Sequence, residues 1–279
     1  MKITALIIIF QFSFPFVSNG QDAIPGKPMH LFGIHTGYSS HILRDDVASP
    51  LIYKGAQAPV EFTYRKIGSK FQHTITFNID NLELHSSITD KSGFYLHYAD
   101  NLNVSLDYAC NRKAFAINPI KTDCFLGVKI LSVLNARNFH YSNDNSIFFA
   151  EQLNSLGFNF LLEKKLCPSE RDFFRFNINV PLISFVILNN RYNSVVSETF
   201  NKIDFNKNVL WQVFTYGDVV SLNKLLEYQT ELSYSRFLTK HVGFEFKHRL
   251  HFYSFTQYKD LLHARYFNNQ FLIGLIVKL

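Results

Sequence analysis

Apolar and polar residues alternate with a period of two along most of the chain, the pattern of strands that show one face to each of two environments. In "VGFEFKHRLHFYSF", Val242 to Phe255, Glu245, Lys247, Arg249 and His251 stand at every second position with Phe244, Phe246, Leu250 and Phe252 between them. "PVEFTYRK" sets Val60, Phe62 and Tyr64 against Glu61, Thr63 and Arg65. "FQHTITFNID" sets Phe71, Ile75, Phe77 and Ile79 against a polar phase that ends at Asp80, and the intervening "IGSK" has the composition of a hairpin turn. "FYLHYADNLNVSLDY" holds one phase from Phe94 to Tyr108, long for a strand of a soluble domain. "FFRFNINVPL" and "LEYQTELSYSRF" repeat the pattern, placing Arg175, Glu227 and Glu231 on the polar phase.

Scanned in this way, the sequence predicts strands near residues 30–43, 59–67, 70–80, 94–109, 125–139, 153–165, 171–187, 225–237, 241–256 and 269–279. The count is ten, or twelve if the segment from Asn189 to Asn223, with Trp211, Phe214 and Tyr216, contributes a further hairpin. Connections alternate in length. "KIGSK", "CPSERD" and "LTKH" are short, whereas "RDDVASPLIYKGAQAP", "FHYSNDNSIFFAEQ" and the segment from Asn189 are long. Short turns at one end and long loops at the other are the arrangement of outer-membrane barrels. The last residues, "FLIGLIVKL", resemble the C-terminal assembly signal of bacterial outer-membrane barrel proteins, with Gly274, Val277 and Leu279 at its places. The resemblance covers the whole chain at the level of that broad class. It implies an all-β, antiparallel, transmembrane up-and-down barrel in the cell outer membrane, touching outer-membrane lipid and lipopolysaccharide and engaging the barrel-assembly machinery through Gly274, Val277 and Leu279.

The N-terminal end agrees with export. One Lys precedes an uncharged apolar run from Ile3 to Val17, and Ser18 and Gly20 supply a small-residue cleavage pattern, so residues 1–20 read as a signal peptide and 21–279 as one barrel domain. No later apolar run approaches the ~20 residues of a membrane-spanning helix. Aromatic residues are 16% of the chain, with 30 Phe and 14 Tyr, while the net charge is only +6, so nothing points to nucleic acid. A soluble β-sandwich with the apolar phase turned inward is the competing architecture.

In a barrel the apolar phase faces lipid and the charged phase faces the lumen. Glu61, Arg65, Asp107, Arg175, Glu227, Glu231, Glu245, Lys247, Arg249 and His251 are then a lumen charge lattice. At ten strands the interior is narrow enough to be filled by side chains, and buried charges must pair. The function this implies is a structural or surface-interaction role. A narrow conducting barrel and a lipid-modifying enzyme are the two alternatives. For the enzyme, Ser39, Ser40 and His41 near the top of the first strand, with Asp45 and Asp46 beyond, supply the residue types of nucleophilic catalysis but no recognisable motif. The eleven histidines form no metal-binding spacing, and no cofactor is expected. Cys110 and Cys124, at the periplasmic ends of consecutive strands, are candidates for a disulfide, with Cys167 the competing partner.

Overall fold

The computed structural model describes residues 28–46, 49–89, 91–93, 96–117, 122–141, 146–166, 172–190, 218–257 and 262–279. Residues 1–20, expected as a signal peptide, Cys167, and Trp211, Phe214 and Tyr216 lie outside the described residues. Among the described residues the regular elements are twelve strands: β1 (Met29–Asp45), β2 (Ser49–Gln57), β3 (Val60–Ile67), β4 (Phe71–Ser86), β5 (Tyr98–Ile117), β6 (Thr122–His140), β7 (Ser146–Lys165), β8 (Asp172–Asn190), β9 (Asp218–Ser221), β10 (Leu225–Phe237), β11 (Val242–Gln257) and β12 (Leu262–Lys278).

Every pairing is antiparallel, and the ladder returns to its start through β12 and β1, from Leu31↔Lys278 to Asp45↔Ala264. Two pairs of segments share a position in the ring. β2 and β3 both run between β1 and β4, broken near Pro59, which has no N–H to give the ladder. β9 and β10 both lie along β8, which meets β9 from Ile183 and β10 up to Asn179. Between those two stretches β8 carries Pro181 opposite Gly157, at a register shift. Twelve segments thus occupy ten positions around the barrel. Hydrogen bonds close the short turns at one end: the Gly68 N–H donates to the Phe71 carbonyl (2.9 Å) and the Leu238 N–H to the Val242 carbonyl (2.9 Å).

The two faces of this wall exchange character along its length. Over the lower reach of β4, Phe71, Ile75, Phe77 and Ile79 are exposed outside while Gln72, Thr76, Asn78 and Asp80 are buried inside. Above Asp80 the buried residues become Leu82 and Leu84, and the outward ones Asn81, Glu83 and His85. The same exchange places Leu43, Tyr53, Phe139, Phe149, Leu225 and Phe255 in one apolar cluster filling the upper end. A smaller cluster of Leu31, Phe173, Phe237 and Ile276 lies at the lower end, beside a cavity of about 720 Å³ lined by Gln72, Glu163, Phe173 and Phe237.

This exchange explains where the sequence reading and the structure part. Part of the segment 44–59, expected as loop, is β2, and most of the stretch around 140–152 is the hairpin of β6 and β7. There the phase weakens: Tyr53, Phe139 and Phe149 turn inward and Lys54, Asn138 and Gln152 outward, but Ile52 and Phe148 are exposed and Glu151 is buried, so a scan that follows a single phase stops. The disulfide is also corrected. Cys110 stands opposite Val128 and Cys124 opposite Phe115, and both thiols are free. β5 runs on to Ile117 before the turn, whereas β6 reaches Cys124 almost at once, so the register keeps the two apart.

Candidate functional site

The lumen between the apolar ends is occupied by charged side chains, and its centre is built by β1, β3, β10, β11 and β12. Alternation on β11 sends Glu245, Lys247 and Arg249 inward on successive inward positions. β3 contributes Glu61, Thr63 and Arg65 in the same way. The Arg65 guanidinium donates twice to the Glu245 carboxylate, at 2.6 and 3.0 Å, a bidentate pair between residues 180 apart in sequence. Lys247 Nζ lies 2.6 Å from Glu61 Oε1 and 3.3 Å from Glu245 Oε2, and donates to Thr63 Oγ1 at 3.0 Å. Arg249 reaches Glu61 Oε2 at 2.6 Å and Glu231 Oε2 at 2.5 Å. Three cations and three carboxylates thus balance; Glu61, Glu245, Lys247 and Arg249 each have two charged partners, while Arg65 and Glu231 end the chain with one each.

Gly274 of β12 makes this packing possible. It stands opposite His35 on one side and Glu245 on the other. His35 and Glu245 meet at 2.9 Å across it. A Cβ at this position would lie 2.3 Å from His35 Cδ2 and 2.2 Å from the Ile34 carbonyl oxygen. Ser235 completes the cluster by donating to Glu245 Oε1 at 2.7 Å.

Smaller networks line the rest of the wall. Lys129 pairs with Asp107 (2.8 Å) and Arg175 with Glu163 (2.7 Å), the latter also taking a bond from Gln72. His251 meets Glu227 at 2.9 Å, and Ser155 donates to the same carboxylate at 2.6 Å. Nearer the upper end Arg137 bridges Asp45 (2.9 Å) and Glu151, and Tyr253 bonds Glu151 as well.

Ser39, His41 and Asp80 do come together, within 2.7 and 2.6 Å of one another through the imidazole. The arrangement is not that of a catalytic triad. Ser39 Oγ and Asp80 Oδ2 both contact Nε2, while Nδ1 faces the Tyr266 hydroxyl, so no carboxylate orients the ring from behind the nucleophile. Ser39, His41 and Asp80 are at most 1% exposed, which leaves no approach for a substrate. Ser40 points to the other face, and Asp46 pairs with Arg44 outside the lumen.

Of the residues expected in the lumen, Glu61, Arg65, Glu231, Glu245, Lys247 and Arg249 form one cluster, whereas Asp107, Arg175 and the Glu227–His251 pair lie in separate networks. Lys247 is held by Glu61 rather than by Glu231, which belongs to Arg249. The reading by alternation missed Lys129, Arg137, Glu151 and Glu163 as lumen groups. The inward phase of β6, Lys129, Leu131, Val133, Asn135 and Arg137, mixes both characters and so carries no clean signal.

No family model matches the sequence, and no curated protein matches it. Among solved structures, the outer membrane protease OmpT from Escherichia coli is similar with a TM-score of 0.59 at 8% identity, covering 93% of this chain and 99% of that one. The translocator domain of the autotransporter NalP from Neisseria meningitidis is similar with a TM-score of 0.48 at 8% identity, covering 99% and 96%. At such identity the likeness is one of fold. The chain has the bacterial outer-membrane β-barrel fold, with an apolar belt outside and charge inside, the architecture of a protein embedded in that membrane.

Proposed function

We propose that this is an outer-membrane barrel with a structural or surface-interaction role and no solute path through its lumen. The observation that carries this reading is the balanced cluster of Glu61, Arg65, Glu231, Glu245, Lys247 and Arg249, stacked between the two apolar ends. A conducting pore needs groups free to exchange partners with a passing solute; here each charge is already bonded to a neighbour on another strand. The sealed Ser39–His41–Asp80 cluster likewise favours a non-catalytic role over a lipid-modifying enzyme. Contact with outer-membrane lipid and lipopolysaccharide follows from the belt. Engagement of the assembly machinery through Gly274, Val277 and Leu279 belongs to the same reading, with Gly274 serving the lumen as well.

The test is planar-bilayer recording of the purified, refolded full chain. The expected result is a silent bilayer despite insertion verified by heat-modifiable migration. Reproducible unitary steps from the wild-type chain would overturn the reading.

A further inference from the structure

The outer surface has a feature that the lumen does not explain. On β12 and β1 the belt ascends through Phe271, Ile273, Tyr38 and Ile42, all exposed. Near its upper edge stand three exposed cations on neighbouring barrel positions, Arg265 on β12, Arg44 on β1 and Lys54 on β2, with Ile52 exposed opposite Arg44. Arg44 stands directly opposite Arg265, and Lys54 opposite Ile42, one outward step below Arg44. Like charges directly opposed on adjacent strands repel, so an arrangement of this kind needs an anion to offset it.

The protein supplies little of that anion itself. Arg44 Nε donates to Asp46 at 2.8 Å. Glu83, the next carboxylate on this face, lies 3.3 Å from His85, which stands opposite Lys54. Arg265 and Lys54 have no acidic partner among the described residues. We propose that Arg265, Arg44 and Lys54 form a binding site for an outer-leaflet lipid whose headgroup carries two phosphates. Strands are spaced about 4.8 Å apart, so the outer two cations are roughly 10 Å from each other across the sheet, too far for one phosphate to bridge and suited to two. The apolar wall directly beneath receives the acyl chains, which is why the ligand is a lipid and not a soluble polyphosphate. Arg at one end and Arg at the centre give planar, forked donors to phosphate oxygens, with Lys as a point charge.

The proposal rests on the membrane residence inferred above, so the experiment separates the two. The full chain is refolded as wild type and as the triple variant Arg44→Gln, Lys54→Gln, Arg265→Gln. A control triple variant, Lys66→Gln, Arg112→Gln, Arg236→Gln, changes outward cations at the opposite edge of the belt. Heat-modifiable migration reports insertion for all three. Native mass spectrometry then reads retention of diphosphoryl lipid A, of the same lipid A with its phosphates removed, and of phosphatidylglycerol. Wild type and the control are expected to retain the diphosphoryl form on the order of tenfold more than either other lipid, and the first triple variant to lose that preference. Equal retention of all three lipids by an inserted wild type overturns the site. So does a preference that survives in the first triple variant, or equal retention of phosphatidylglycerol, which would make one phosphate sufficient. Failure of the wild type to insert would instead sink the membrane reading.

Discussion

Replacing Lys247 by Met keeps an unbranched side chain one atom shorter and removes its charge from the centre of the lumen. Lys247 Nζ stands 2.6 Å from Glu61 and 3.3 Å from Glu245, with side-chain exposures of 1%, 0% and 0%. Without it Glu61 still has Arg249 and Glu245 still has Arg65, but three carboxylates, two of them fully buried, face two cations. At an effective dielectric constant of 20 a contact of this length is worth roughly 5–6 kcal/mol before the cost of desolvation. The net loss on breaking a buried pair is about 3–5 kcal/mol. With a urea slope of about 3 kcal/mol/M, the unfolding midpoint falls by roughly 1–1.7 M. The assay is the folded fraction on unheated gels across a urea series in detergent. Adding Glu61→Gln to Lys247→Met restores two cations against two carboxylates, and is expected to recover more than half of the shift. A double variant no more stable than the single one would refute the argument that charge balance, rather than packing alone, sets the cost.

Gly274→Ala is expected to destabilise the barrel by about 1–3 kcal/mol, because the new methyl displaces the His35 ring from Glu245; the same urea series measures it, and Val277→Ala, on the outer face, serves as the comparison that leaves the lumen intact. Phe246→Arg puts a charge on the exposed lipid-facing side of β11 and is expected to cost about 2–4 kcal/mol, seen as loss of the heat-modifiable band. Retention of that band at the wild-type level would favour a surface in water rather than in lipid.

β11 was fully legible because its outward Phe244 and Phe246 and its inward Glu245, Lys247 and Arg249 hold one phase through the part of the wall that crosses lipid. The alternation there states which residues share a face, but not which of them touch. Arg65 and Glu245 meet across the barrel from positions 180 apart, and that pairing follows from closure and register, which no local pattern encodes. The choice of Glu61 rather than Glu231 for Lys247 is set in the same way. Glu231 lies directly opposite Arg249 on β10, while Lys247 faces Ser233 and must reach across to β3. The proposed link between Cys110 and Cys124 failed for a related reason. Both were placed correctly on consecutive strands, but the position of the turn between them decides the register, and the strand continued through "NRKAFAI".

The inversion of phase is the more informative part of what the sequence concealed. A strand crossing the apolar layer needs about 9–11 residues when tilted. The outward apolar run on β4 from Phe71 to Ile79 and that on β1 from Phe32 to Ile42 are of this length, yet the strands themselves have 16 and 17 residues. On β4 the surplus lies at the upper end, and on β1 it is split between the two ends; at the upper end the outer face meets water and the hydrophobic effect acts inward, as in a soluble protein. Leu82 and Leu84 therefore turn toward the lumen on the same strand whose Phe77 and Ile79 turn away from it. Because the strand keeps its pleat while its surroundings change, the wall fills its own mouth with the side chains that would otherwise be stranded in water. Apolar cap and ionic cluster are thus successive stretches of the same strands, and each follows from the solvent on the far side of the sheet.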